Sequence, residues 1–211
     1  MAGFLDLEDI ALGARDAKFP SFDVQKVLAR LLLKGHIVVK KAYCDFDRYK
    51  DFKRGLHEAA FELIEIPHVR QSGKNSADIR MVVDALDLCY TKAHVDTFVI
   101  VSGDSDFSPL VSKLRENDKT VIGVGVKKST SDLLVAACDE FIYYDDLVRE
   151  QKPRKPAAPR KAATAAPASP DKKQEAIDLV LETVEALADE RGEDETIWGS
   201  MVKQALKRRK P

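Results

Sequence analysis

The chain has 211 residues, 45% of them hydrophobic, with 34 basic and 35 acidic side chains and a formal charge of −1. That length supports one sizeable core and a small second module, and so even a balance leaves nucleic-acid binding to be argued from where the charges lie. No run of ~18 apolar residues marks a membrane helix, the acid-rich start MAGFLDLEDI is not expected to be a secretory leader, and Cys44, Cys89 and Cys138 form no CxxC pair, as in a cytoplasmic protein with reduced thiols.

In chain order, GFLDL is predicted as a short strand that ends at Asp6. SFDVQKVLARLLLKG follows as a helix. Ser21 or Asp23 caps it, Val24, Val27, Leu28, Leu31 and Leu32 form one face, and Gly35 ends it. HIVVKKAYCDF is a strand, β-branched at its centre. RYKDFKRGLHEAAFEL is a helix with a basic first half, IEIPHV a short strand, and RQSGKNS a polar loop. ADIRMVVDALDLCYTK is a helix with apolar positions Ile79, Val82, Val83, Leu86 and Tyr90. TFVIVSG is the most apolar strand, SPLVSKLREND a helix entered through Pro109, KTVIGVGV a strand, TSDLLVAACD a helix, and EFIYYDD a last strand. Strands alternating with helices, several strands apolar on both faces, predict an α/β fold with a central, mostly parallel sheet flanked by helices.

Composition changes at about residue 150. QKPRKPAAPRKAATAAPASPDKK holds five of the nine prolines and no large apolar residue, so residues 150–171 are expected to be a flexible linker. Residues 172–211 read as two helices, the first with Ile177, Val180, Leu181, Val184 and Leu187 at helical spacing and Gly192 at its end. Thr196 can cap the second. Two helices bury little alone, so this all-α tail looks incomplete.

FVIVSGDSDFSPL sets Asp104 and Asp106 where a buried strand emerges. Neighbouring carboxylates repel unless a cation lies between them. In a parallel α/β sheet, ligands gather outside the carboxyl ends of the strands. Asp6, at the end of the first apolar run, and Asp78, after QSGKNS, can reach that same edge. Such an all-oxygen set suits a hard ion, Mg²⁺ or Mn²⁺, and the chemistry that follows is metal-assisted phosphodiester hydrolysis. Asp6, Asp78, Asp104 and Asp106 are therefore the candidate catalytic and metal-binding residues. Taken singly, each is as readily a cap or a turn former. Asp84 and Asp87 are expected to face solvent, and Asp132 to be a first-turn acid of its helix. Lys127, Lys128, Ser129 and Thr130 lie between a strand and a helix, where they either contact phosphate or form an ordinary cap. Ser102 either holds a phosphate or orders a carboxylate. Lys74 and the basic stretch KKAYCDFDRYKDFKR flank the acids. Its Tyr43, Phe46 and Tyr49 either stack bases or pack inside. GVGVKKSTS lacks the Gly-Lys-Ser/Thr ending of a P-loop.

FLDLEDIA, KNSADIRMVVDAL, FVIVSGDSDFSPLVSKLRENDKTVIGVGV and STSDLLVAACDEFIYYDDL resemble the NYN domain, of the LabA-like branch, within the PIN-like nuclease superfamily. The resemblance covers nearly all of residues 1–149. It implies a Rossmann-like fold, an acidic site for Mg²⁺ or Mn²⁺ and cleavage of RNA, with Asp6, Asp78, Asp104 and Asp106 at the family's acidic positions. The family's first motif usually reads Asp-x-x-Asn, whereas this chain has Asp9 in place of the Asn. A carboxylate there cannot donate to a substrate unless protonated. The tail is similar to the start of an OST-HTH/LOTUS domain, a winged-helix module that implies a protein or RNA partner. PIN-like domains often pair, so a homodimer is expected by analogy. The alternative to a ribonuclease is a catalytically weak RNA-binding or regulatory adaptor. A phosphoryl-transfer signalling domain is a third reading, but no phospho-acceptor aspartate with a downstream strand-end lysine supports it.

Overall fold

The computed structural model describes residues 1–66, 75–150, 172–191, 197 and 199–209. Six strands form one sheet: β1 (Ala2–Asp6), β2 (Val39–Cys44), β3 (Glu62–Glu65), β4 (Thr97–Val101), β5 (Thr120–Gly125) and β6 (Glu140–Tyr143). Their order is β3-β2-β1-β4-β5-β6, and every pairing is parallel. Between them run α1 (Leu7–Asp16), α2 (Val24–Lys34), α3 (Lys50–Glu58), α4 (Ser76–Thr91), α5 (Ser108–Glu116) and α6 (Asp132–Ala137), and α7 (Tyr144–Glu150) follows β6.

The predicted α/β class holds, with helices against a fully parallel sheet. β1 and β4, the two central strands, are apolar because helices cover both of their faces. Phe4 of β1 and Phe98 of β4 are wholly buried, their rings parallel with centroids 6.0 Å apart. Ile100, Val121, Met81, Phe107 and Leu134 join the same core. Burial of each such side chain contributes about 1.5–3 kcal/mol. The chain builds β1, β2 and β3 outward on one side, then returns through α4 to start β4 on the other side of β1. The direction in which strands are added therefore reverses between the parallel β1 and β4, and a crevice opens at their carboxyl ends, the place where doubly wound sheets bind ligands.

Four local differences from the sequence-based expectation have physical causes. Helix α1, unanticipated, starts immediately after β1. Asp6 caps it, Glu8 and Asp9 sit in its first turn, and Leu7, Ile10, Gly13 and Ala14 are its buried residues. Half of that buried set is small, which hides the helical period. Smallness is required, because a Cβ on Gly13 would lie 2.3 Å from Ser129 Oγ. Helix α3 stops at Glu58 and β3 begins at Glu62, earlier than predicted, through Ala60 at φ 57° instead of a glycine. Helix α7 follows β6 where only a strand was expected. Helix α4 uses its predicted face only in part: Val82 and Leu86 are partly buried against the core, but the helix is turned away from the other three positions. Met81, Ala85 and Cys89 face the core, while Ile79, Val83 and Tyr90 are 63%, 55% and 64% exposed. This helix packs on β1 and β2, and an alanine and a cysteine let it approach them closely.

A second compact unit comprises residues 29–36 with the described residues beyond 171. Its described helices are α8 (Lys172–Arg191) and α9 (Gly199–Arg209). Leu33, Leu187 and Ala205 form its small core, with Ile197 and Val202 partly buried beside them. Glu190 pairs with Arg30 at 3.0 Å and also with Lys34. The Arg208 guanidinium donates to the carbonyls of Leu32 and Leu33 at 2.7 and 2.8 Å. Residues 29–36 thus supply the third element that two tail helices need to enclose a core. On α8 the predicted apolar face is only partly used, since Ile177, Val180 and Leu181 are exposed. Residues 151–171, together with Gly192 and Thr196, lie outside the described residues. Among the described residues, no helix is long and apolar enough to cross a membrane.

Candidate active site

Three chain segments meet at the crevice beyond β1 and β4. The first is the β1–α1 junction. Asp6 is buried, and its Oδ1 accepts the Asp9 backbone N–H at 3.3 Å. The second is the turn after β4. Ser102 is wholly buried there, its hydroxyl 3.3 Å from Asp6 Oδ2 and 3.1 Å from Asp9 Oδ2, and it accepts the Asp104 N–H at 3.2 Å. Gly103 N–H donates to Asp9 Oδ2 at 2.6 Å. Asp104 Oδ1 then accepts the Asp106 N–H at 2.9 Å and caps the 3₁₀ turn Ser105–Phe107. The third segment is the start of α4, which carries Asp78 in its first turn.

Gly103 is fixed by space. A Cβ there would stand 2.8 Å from the Ser129 carbonyl, while the Gly103 carbonyl accepts the Ser131 N–H at 2.9 Å. The acidic turn is thereby clamped between α1 on one side and the β5–α6 loop on the other.

The electrostatics show that these acids share one neighbourhood. Burial, then the charges of Asp9 and Asp78, push the Asp6 carboxyl up to about 8. Burial, then Asp104, Asp106, Asp9 and Glu8, push Asp78 up to about 6. Asp9 is raised by burial, partly offset by its bonds from Gly103 and Ser102. Ser102 has one proton to give and two carboxylates to serve. Both contacts are satisfied together only when one of the two carboxyls carries a proton of its own, which the raised pKa of Asp6 favours there.

Among the described residues, no lysine, arginine or histidine forms an ion pair with Asp6, Asp9, Asp78, Asp104 or Asp106. The donor set is all oxygen, with neither imidazole nor thiol, which is the chemistry a hard divalent ion takes. As these side chains stand, no three His, Cys, Asp or Glu among the described residues are gathered closely enough to hold one ion. The set fits such an ion in donor type and charge, and it needs side-chain movement to close around one.

The remaining sequence candidates fall into three groups. Ser102 orders carboxylates and, being wholly buried, does not reach a phosphate. Lys127, Lys128, Ser129 and Thr130 form the β5–α6 loop behind Gly103. The Lys127 ammonium lies 5.1 Å from the centre of the Tyr143 ring. Lys128 Nζ donates at 3.4 Å to the carbonyl of Asp16, at the far end of α1 from Asp6. Ser129 Oγ and Thr130 Oγ1 donate to the Val126 carbonyl at 3.4 and 2.7 Å, and Ser131, not either of them, caps α6. Lys74 lies outside the described residues.

Asp84 does not face solvent as expected. It accepts from Lys41 Nζ at 3.0 Å, Tyr43 OH at 2.8 Å and Arg80 Nε at 3.1 Å. These bonds outweigh burial and hold its carboxyl below the ordinary range. Asp87 is exposed, and Asp132 occupies the first turn of α6. Tyr43 and Phe46 are buried and serve packing, and Tyr49 is half-buried beside Phe52. Sequence reasoning missed that Asp9 clamps the Ser102-Gly103 turn. The only local signal was a second acid three residues after the cap.

The family model of the NYN domain matches residues 1–145. An uncharacterized protein of Methanocaldococcus jannaschii is 30% identical over 122 residues, which span 58% of this chain and 48% of that protein. The meiosis regulator and mRNA stability factor 1 of Xenopus tropicalis is 26% identical over 133 residues, 63% of this chain and 8% of that protein. The chain therefore spans less than half the length of these curated relatives. The crystal structure of a protein of unknown function from Vibrio parahaemolyticus superposes with a TM-score of 0.61 at 27% identity, covering 69% of this chain and 93% of that one.

Proposed function

The chain belongs to the NYN domain family, and from that premise we propose that it is a divalent-metal-dependent ribonuclease of the LabA-like branch. The observation that carries this reading is the group of five aspartates at the β1/β4 crevice, without a basic partner among the described residues, in which Asp6, Asp9 and Asp78 are raised by burial and by neighbouring carboxylates. Crowding that much like charge around a buried Asp6 is costly unless a cation or protons neutralise it. Asp6, Asp78, Asp104 and Asp106 are the residues that would hold Mg²⁺ or Mn²⁺. When bound, the ion supplies a Lewis acid and an activated water for phosphodiester hydrolysis.

The chain's own part is positioning and proton storage. Asp6 holds a proton at neutral pH and can release it as charge enters the crevice. Ser102 and the Gly103 N–H keep Asp9 turned toward the β4 turn, which leaves Asp104 at the mouth. Exposed Lys127, Lys128 and Ser129, with Thr130 and Lys74, offer contacts to phosphates along the strand rather than at the scissile one. A relative named for mRNA stability supports RNA as the substrate class. A cytoplasmic location, a homodimer, and a tail that binds protein or RNA as LOTUS modules do complete the proposal.

Asp9 favours one other reading, a catalytically weak RNA-binding adaptor, because it adds a carboxylate where the family usually has an amide. Both are tested with purified full-length protein and a single-stranded RNA. The ribonuclease cleaves with Mn²⁺ or Mg²⁺, stops with chelator, and loses at least about a hundredfold in rate in Asp104→Asn. Binding without cleavage, with cutting gained in Asp9→Asn, selects the adaptor.

A further inference from the structure

The exposed apolar face of α4 is continuous with the acids. A cleft of about 720 Å³ runs between α4 and the start of α5, with Asp78 and Asp106 on its rim. Its volume falls in the ~300–1,000 Å³ range of sites that hold small organic ligands. Ile79 and Val83 of α4 and Leu133 of α6 line it, at 63%, 55% and 63% exposure. Side chains so apolar and so exposed, together in one concavity, mark a binding surface rather than a scattering of surface leucines and valines.

A second observation says what kind of group belongs there. Ser108 also lines the cleft. It is only 7% exposed, and its hydroxyl, closed off from the cleft as the side chain stands, has no hydrogen-bond partner. A buried hydroxyl is nearly always satisfied, so an unpaired one at the wall of a cleft calls for a partner, which a ligand supplies once the serine turns about its single rotatable bond. The occupant must therefore present an apolar face to aliphatic walls and a polar edge to a hydroxyl. It must also be attached to something negative enough to need a cation at the aspartates, because two of them form the rim.

We propose that this cleft receives the base of the nucleotide next to the scissile phosphate, with Ile79, Val83 and Leu133 against the base face and Ser108 bonded to its edge. The assignment rests on the ribonuclease reading and deepens it. A base held between apolar side chains with few polar contacts binds well and discriminates little among the four bases. Substrate choice should then follow whether the base can leave its helical stack, so single-stranded RNA is the favoured form.

The test uses the full-length Asp104→Asn variant with saturating Mn²⁺, so that the acids are neutralised while cleavage is slow, and compares a fluorescent short oligouridylate with an abasic ribose-phosphate oligomer of equal length. The base-bearing oligomer should bind about tenfold more tightly. Val83→Ser and Leu133→Ser, both at exposed positions, should each remove most of that preference and leave abasic binding unchanged. A 4-thiouridine oligomer should crosslink within residues 76–91 or 132–137. Equal affinity for the two oligomers, or crosslinks confined to other segments, overturns the assignment. So does loss of self-association in the serine variants with base preference intact, which would make a second copy the occupant. If neither oligomer binds, the ribonuclease reading fails and takes the cleft with it. If binding shows no base preference while cleavage persists, only the cleft assignment falls.

Discussion

Asp6 carries the largest electrostatic strain in the site, and its sign can be worked out. Its folded pKa is raised from the ordinary 3.8 to about 8. Across that window the folded chain keeps a proton that the unfolded chain has already lost, so this contribution to stability is complete below the window and is lost as pH rises through it. Asp78, raised to about 6, acts in the same direction over a narrower range. The charge of Asp9 is the second cause of the Asp6 shift. Asp9→Asn removes that charge and still offers an oxygen to the Gly103 N–H. Urea midpoints measured from about pH 4 to pH 8 should therefore decline less steeply in the variant, with a gain of about 1 kcal/mol at the alkaline end. An unchanged slope would mean that Asp9 does not press on Asp6. Asp104 and Asp106 were legible in the sequence because they stand side by side after an apolar strand. The role of Asp9 was not, because its partners Ser102 and Gly103 lie more than ninety residues away.

Helix α4 shows how an element can be found and still be oriented wrongly. Its apolar arc is wider than one face, so helical spacing fits both the side with Ile79, Val83 and Tyr90 and the side with Met81, Ala85 and Cys89, with Val82 and Leu86 between them. Bulk favoured the first face. The structure uses the second, because a helix that approaches a sheet closely needs small side chains at the contact. The same preference for small residues concealed α1, whose Gly13 and Ala14 carry no strong hydrophobic signal. The two faces of α4 predict opposite outcomes. Met81→Ala should cost about 2–5 kcal/mol, since Met81 is wholly buried in the main core. Ile79→Ala should stay within about 0.5 kcal/mol, as expected for an exposed position. Thermal or urea unfolding of the two variants checks the orientation. Similar costs for both would restore the predicted face.

For the whole molecule, the α/β class was readable because the strands are apolar and alternate with helices. Strand order was not, since nothing local says that the chain returns across β1 before starting β4. That one crossover sets the Asp6 strand end beside the Ser102–Asp106 turn and makes the crevice a property of topology. It also couples the whole fold to what occupies the site. Ligands that bind only the folded state stabilise it by an amount that grows with the logarithm of their concentration above Kd. A divalent ion at these carboxylates must compete with the protons that the acids hold, above all the one on Asp6. Adding Mn²⁺ should therefore raise the melting temperature more at pH 8 than at pH 5.5, and Asp104→Asn should shrink the rise at both. Equal stabilisation at the two pH values would place the ion away from Asp6 and Asp78. An absence of stabilisation at either pH would leave protons, not a metal, as the means by which this fold tolerates its acids.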